Sequence, residues 1–94
     1  MAVVVVNEMQ GGEQGFYEQV TNRVMPNNQL PDGCLDHIAG PMEGGWRVIT
    51  VWESDQQFDR FRNETLIPAM QEAGRGESVA PAINTNPVFR HITA

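Results

Sequence analysis

Gly45-Trp46-Arg47-Val48-Ile49-Thr50-Val51-Trp52-Glu53-Ser54 carries the strongest strand signal in the chain. Its β-branched and aromatic content predicts a strand over 46–53. On its N-terminal side, Glu43-Gly44-Gly45 supplies a flexible reversal that pairs it with an alternating stretch from Cys34 to Ala39. Gly40-Pro41 should stop that earlier strand and place it at a sheet edge. On the C-terminal side, the Ser54 hydroxyl is placed to accept a free amide hydrogen at a helix start. Asp55 suits the positive end of the helix dipole, and Gln57 holds the third helical position of a capping box. Phe58, Phe61, Leu66, Ala69, Met70 and Ala73 form an apolar stripe along the helix that follows. Pro68 should kink or split this helix and Gly74 should end it.

Farther out, Ala2 to Met9 is a nearly continuous β-branched run, which predicts a central strand covered on both faces. Gly11-Gly12 breaks it. Phe16, Val20 and Val24, with Tyr17 beside them, then recur at helical spacing until Pro26. The stretch from Asn27 to Gly33 is turn-rich, and Val88 to Ile92 predicts a last strand. The order is β-α-β-β-α-β, an α+β ferredoxin-like domain with an antiparallel sheet. Right-handed crossovers put strands one and three in the middle and strands two and four at the edges.

Ninety-four residues suffice for one domain, 1–94, and a domain of this size gains apolar core by pairing with a second copy. Twelve carboxylates stand against six arginines and no lysine, a formal charge of −6, which excludes nucleic acid as a partner. The lone Cys34 cannot form an internal disulfide and fits a reducing cytoplasm. The valine run is too short to span a membrane and lacks the flanks of a signal peptide, so no membrane partner is expected. No HxxxH, HExxH or paired-cysteine spacing occurs, and the glycine pairs match no phosphate-binding or dinucleotide pattern. Neither a metal nor another cofactor is expected.

The order of elements, with Val51-Trp52-Glu53-Ser54 leading into a helix bearing Phe58 and Phe61, resembles the antibiotic-biosynthesis-monooxygenase-like branch of the dimeric α/β-barrel superfamily. The resemblance covers essentially the whole chain. It implies a homodimer in which two ferredoxin-like sheets pair face to face and an end segment of one chain reaches the other. It also implies a cofactor-independent monooxygenase acting on a phenolic or polyketide-like aromatic small molecule in bacterial secondary metabolism. The same barrel hosts non-catalytic or stress-associated binding dimers and oxygen-independent isomerases or cyclases, and these readings stay open.

Asn7 interrupts the apolar first strand, and a buried amide must find hydrogen-bond partners or cost stability. The resemblance implies that asparagine and tryptophan side chains bind the substrate and stabilise its anion; Asn7 and Trp52 are the nearest positions. The plainer alternatives are that Asn7 bonds to a loop and that Trp52, like Trp46, is core. Haem-degrading relatives couple such an asparagine with a tryptophan and a ligating histidine on the second helix. Phe61 and Gln71 stand at those places here, which disfavours haem degradation. His37 and His91, on the two predicted edge strands, are candidate bases that a dimer could bring together, or else polar interface residues. Arg47 and Arg90, with Trp52 and Phe61, complete the expected substrate-binding set. Arg23, Arg60, Arg62 and Arg75 belong to solvated helix faces and ends, and Cys34 reads as a small buried hydrophobe.

Overall fold

Four strands form one antiparallel sheet in the order β2-β3-β1-β4, with β1 (Val3–Gln10) and β3 (Gly45–Trp52) inside and β2 (Cys34–Met42) and β4 (Ala82–Pro87) at the edges. The structure, a computed structural model, describes residues 1–73 and 82–94. Among the described residues, three α-helices accompany it: α1 (Gln14–Val24), α2 (Asp55–Phe61) and α3 (Ile67–Glu72). This is the α+β ferredoxin-like arrangement expected from the sequence, with the expected strands at the centre.

Side chains alternate across a strand, so the register decides what meets the helices. Val5 lies opposite Thr50, Asn7 opposite Val48 and Met9 opposite Trp46. Val3, Val5, Met9 and Trp52 are buried together with Phe16, Val20, Phe58, Ala69 and Met70, so the helices cover this one face. Val4, Val6, Ile49 and Val51 alternate onto the other face and are only half-buried in a single chain.

Ser54 caps α2 as its position implies. The Gln57 N–H donates to Ser54 Oγ at 3.2 Å, and the Ser54 hydroxyl donates to Gln57 Oε1 at 3.0 Å. Pro68 does not break the helical path outright. Instead a π-helical turn, Arg62–Leu66, joins α2 to α3. Proline removes a donor and its ring crowds the carbonyl four residues back, and a wide turn relieves both. It also corrects a phase error. At about 100° per residue a regular helix would turn Met70 roughly 120° away from Phe58. The π turn absorbs one residue, and Phe58, Ala69 and Met70 are all buried.

Two strand boundaries differ from the sequence reading. β2 continues through Gly40-Pro41 to Met42, which an edge strand tolerates because part of its backbone faces away from the ladder. The last strand is Ala82–Pro87, not 88–92. Pro87 already pairs with Val3, the first residue of β1, so the sheet ends there. Val88 adds one bond, its N–H donating to the Ala2 carbonyl at 3.0 Å, and the tail then leaves the strand ladder with Phe89 93% exposed. The helix stop expected at Gly74 and the solvated Arg75 lie outside the described residues.

The β1–β3 pairing depends on a close approach at Gly45, where a Cβ would run into the Met9 carbonyl. Gly15 in α1 has nothing within 4 Å of such an atom. Gly45→Ala should therefore lower stability by about 2 kcal/mol or more, whereas Gly15→Ala should raise it by about 0.5 kcal/mol. Urea denaturation of both variants checks the pair, and equal effects would contradict the register.

Candidate functional site

The interior is divided. One apolar cluster gathers Met9, Phe16, Val20, Ala69 and Met70; the other gathers Val3, Val5, Cys34, Trp52 and Phe58. Between them, on the helix side of the sheet, lies a cavity of ≈ 70 Å³. Its floor is Val5 and Asn7 of β1, Val48 and Thr50 of β3, and His37 of β2. Tyr17 and Val24 of α1, with Phe61, Leu66 and Met70 of the second helical segment, close it from above. Its lining includes no carboxylate or guanidinium.

Asn7 projects into this space from the middle of β1. Its cross-strand neighbours are Val48 on one side and Ile83 on the other, neither of which offers a polar side chain. The carboxamide Oδ1 is buried and has no hydrogen-bond partner. An acceptor in that state costs on the order of 1–3 kcal/mol, which a ligand donor would recover. The loop bond that was the plainer expectation for this oxygen is not made.

Trp52 takes the opposite part. It is 1% exposed, its Nε1–H donates to Thr50 Oγ1 at 2.8 Å, and its ring leans on Phe58 and Phe61 at centroid distances of 5.5 and 5.2 Å. The indole donor is spent within the protein, so Trp52 forms cavity wall and holds no anion in this arrangement. Trp46 keeps a buried Nε1–H without a partner and stacks on Tyr17 at 5.3 Å, outside the cavity lining.

His37 faces the cavity because it lies opposite Thr50 in the β2–β3 register. Its Nε2 is 2.6 Å from the Tyr17 hydroxyl, joining the sheet to α1. Burial pushes the His37 pKa below its ordinary 6.5, so the ring is neutral near pH 7. Cys34 also lines the cavity. Burial, opposed by a backbone hydrogen bond at Asp36 and reinforced by the Asp36 charge, pushes its pKa up to about 11, and the thiol donates to the Asp36 carbonyl at 3.4 Å. A thiol held protonated in this way is a poor nucleophile.

Of the residues expected at the site, Asn7, His37, Trp52 and Phe61 converge on the cavity. Arg47, Arg90 and His91 do not. Arg47 alternates onto the far face of β3 and pairs with Glu8 at 3.3 Å, directly across in the register. Arg90 stands on the C-terminal tail over the Phe89 ring at 5.5 Å. His91 is on the same tail, not on a strand, with Nε2 2.7 Å from Asp36 Oδ2. Asp36 lies opposite Val51 and His37 opposite Thr50, so the two histidines belong to opposite faces of the sheet within one chain. Tyr17 is the addition the sequence reading did not make. Among the described residues, no three His, Cys, Asp or Glu side chains gather as a metal site. No described helix is long and apolar enough to cross a membrane.

The chain is thus a ferredoxin-like domain with an apolar cavity between sheet and helices that a few polar side chains face. Solved structures share its fold across nearly the full chain. Rv0793 from Mycobacterium tuberculosis superposes with a TM-score of 0.73 at 12% identity, covering 99% of this chain and 100% of the other. SnoaB from Streptomyces nogalater, a cofactor-independent oxygenase, gives 0.68 at 15% identity over 99% and 98%. A Chloroflexus aurantiacus protein named as a candidate antibiotic biosynthesis monooxygenase gives 0.58 at 17% identity over 97% of both chains. The chain therefore has the fold of the antibiotic-biosynthesis-monooxygenase-like proteins. No family model matches the sequence, and no curated protein matches it.

The two titrating groups that line the cavity, His37 and Cys34, make opposite demands on pH. The folded protein binds a proton at His37 less readily than the unfolded chain, so stability is complete above pH 6.5 and is lost as pH falls below that value toward the lowered folded pKa. Cys34 contributes stability that is complete below pH 9.0 and is lost as pH rises toward about 11. Denaturation measured across pH should show His37→Gln flattening the acid limb and Cys34→Ala the alkaline limb. An unchanged limb in either variant would assign the titration to another group.

Proposed function

We propose that this chain is a cofactor-independent monooxygenase that oxidises a small electron-rich phenol, of the kind met in bacterial secondary metabolism. The observation that carries this reading is the unpartnered Asn7 carboxamide in a cavity that also holds a neutral imidazole. The oxygenase activity stated for the structurally similar Streptomyces protein supports it. A ligand that satisfies Asn7 Oδ1 must bring a donor, and a lining without charged groups admits it in its neutral form. A phenol meets both conditions.

In this reading the Asn7 amide accepts a ligand hydroxyl and orients the ring. A second hydroxyl on the ring loses its proton, which comes to rest on His37, and the phenolate passes one electron to oxygen. The radical pair joins through a new C–O bond. The peroxide O–O bond then breaks, taking the ring hydrogen and the stored proton to form water. Phenol and oxygen give quinone and water, with one atom of the O2 molecule in each product and all four electrons drawn from the substrate. The imidazolium formed in the first step stabilises the anion in surroundings where charges interact strongly.

The cavity volume favours a single ring over a polycycle. At ≈ 70 Å³ it is smaller than the dry cavity of about 150 Å³ that takes benzene, so its walls must yield even for one ring. Met9, Met25 and Met70 line it, and unbranched thioether side chains rearrange readily. A second copy of the chain would cover the opposite face of the sheet, where Ile38 is 63% exposed beside Val4, Val6, Ile49 and Val51.

The purified protein should run as a dimer by native mass spectrometry and consume oxygen with simple electron-rich phenols, with no flavin or metal added. Asn7→Val should gain about 1 kcal/mol of stability by removing the unpaired acceptor while slowing oxygen uptake at least tenfold. Oxygen uptake that persists unchanged in this variant would remove Asn7 from the reaction. Product formed without oxygen would identify an isomerase or cyclase, and tight binding without product would identify a binding protein.

A further inference from the structure

Tyr17 meets the cavity from α1, with its hydroxyl 2.6 Å from His37 Nε2. A phenol O–H is a stronger acid than the N–H of a neutral imidazole, and burial keeps this ring neutral. Tyr17 therefore donates to Nε2, and a neutral His37 carries its own proton on Nδ1. This leaves the imidazole with no free lone pair for a ligand. Nδ1 is protonated and Nε2 is occupied. The open acceptor of the pair is the Tyr17 oxygen.

We infer that Tyr17 takes the ligand's proton and passes its own to His37 Nε2, so that the pair is a two-residue proton relay; the inference rests on reading the cavity as a phenol site. The ligand O–H bond breaks as a new O–H bond forms on Tyr17 Oη. The original Tyr17 O–H bond breaks as an N–H bond forms on His37. The electron pair stays on the ligand oxygen, and no oxidation occurs in this step. Tyr17 ends neutral, as it began, and the positive charge rests on the imidazolium. Tyr17 is held for this role from two sides: its ring is 5.3 Å from Trp46 and 5.9 Å from His37, tilted by 37° and 34°. The low proton affinity that burial gives His37 keeps it uncharged and ready to receive.

The test uses 4-nitrophenol, which is colourless when protonated and yellow as the phenolate, bound to the intact protein in buffer slightly more acidic than the probe's own pKa. Wild type should bind it as the phenolate. Tyr17→Phe keeps the stacked ring and loses only the hydroxyl, and it should bind the probe in the colourless form, with the bound phenolate fraction at least tenfold lower. His37→Gln still offers Tyr17 an acceptor but takes no proton, and it should show the same loss. If Tyr17→Phe fails to fold, ionisation of the probe retained in His37→Gln overturns the relay by itself. A probe still ionised in Tyr17→Phe but not in His37→Gln would make His37 the direct base and overturn the relay. Equal ionisation in all three proteins, or binding of the neutral form alone by wild type, would overturn it as well. A wild type that binds no 4-nitrophenol would bring down the phenol-site reading, and the relay with it.

Discussion

Asn7 occupies a position where the sheet cannot serve it. Val48 and Ile83 flank it across the strands, and the pleat turns its carboxamide away from the open face and toward the helices. The residues two steps away on the same face, Val5 and Met9, are buried in different apolar clusters. The polar side chain thus marks the seam between two small cores. A fully apolar β1 would let those cores merge. With an amide in the middle they stay apart, and the space between them is shaped by what the amide leaves unfilled.

The rest of the interior compensates for that seam. Trp52 is completely enclosed, and the bond from its indole to Thr50 settles both groups internally. The same β3 surface therefore presents a closed wall toward one cluster and an open floor toward the cavity. The His37–Tyr17 bond is the polar counterpart on the other flank, tying edge strand to helix. The Trp52–Thr50 and Tyr17–His37 bonds are made within the protein, whereas the Asn7 oxygen has no partner there.

Local chemistry made much of the fold legible. Ser54 and Gln57 announce the start of α2, Gly44-Gly45 announces the hairpin, and Pro68 announces a disturbance in the helix that follows. β4 was not legible, because Ile83-Asn84-Thr85-Asn86 has weak strand character and is recruited by the open edge of β1. Val88 to Ile92 has the better pattern but arrives after β1 has ended, with nothing left to pair against. At the site, Asn7 stood out as a polar break in an apolar run and His37 by its chemistry. Arg47 misled because its role turned on strand parity, which places it with Ile49 and Val51 while Trp46, Val48 and Thr50 face the helices. Tyr17 was hidden for another reason: it adjoins the Phe16–Val20–Val24 stripe, and its partner is twenty residues away.

The π turn at Arg62–Leu66 has a bearing on how such a chain can change over evolutionary time. A helix that has absorbed one surplus residue holds its two ends in register with the sheet independently of each other. Phe58 and Phe61 belong to one rotational setting, Ala69 and Met70 to another, and the wide turn is the clutch between them. Deleting a residue inside a regular helix rotates everything beyond it off the core. Here a homologue one residue shorter at this place could slip back to regular α-helix with both Ala69 and Met70 still turned inward, because the residue lost is the one the wide turn absorbs. Straightening the helix at its present length would instead carry Met70, which lines the cavity, roughly 120° away from Phe58, so the wide turn lets the chain change length here without moving the cavity wall.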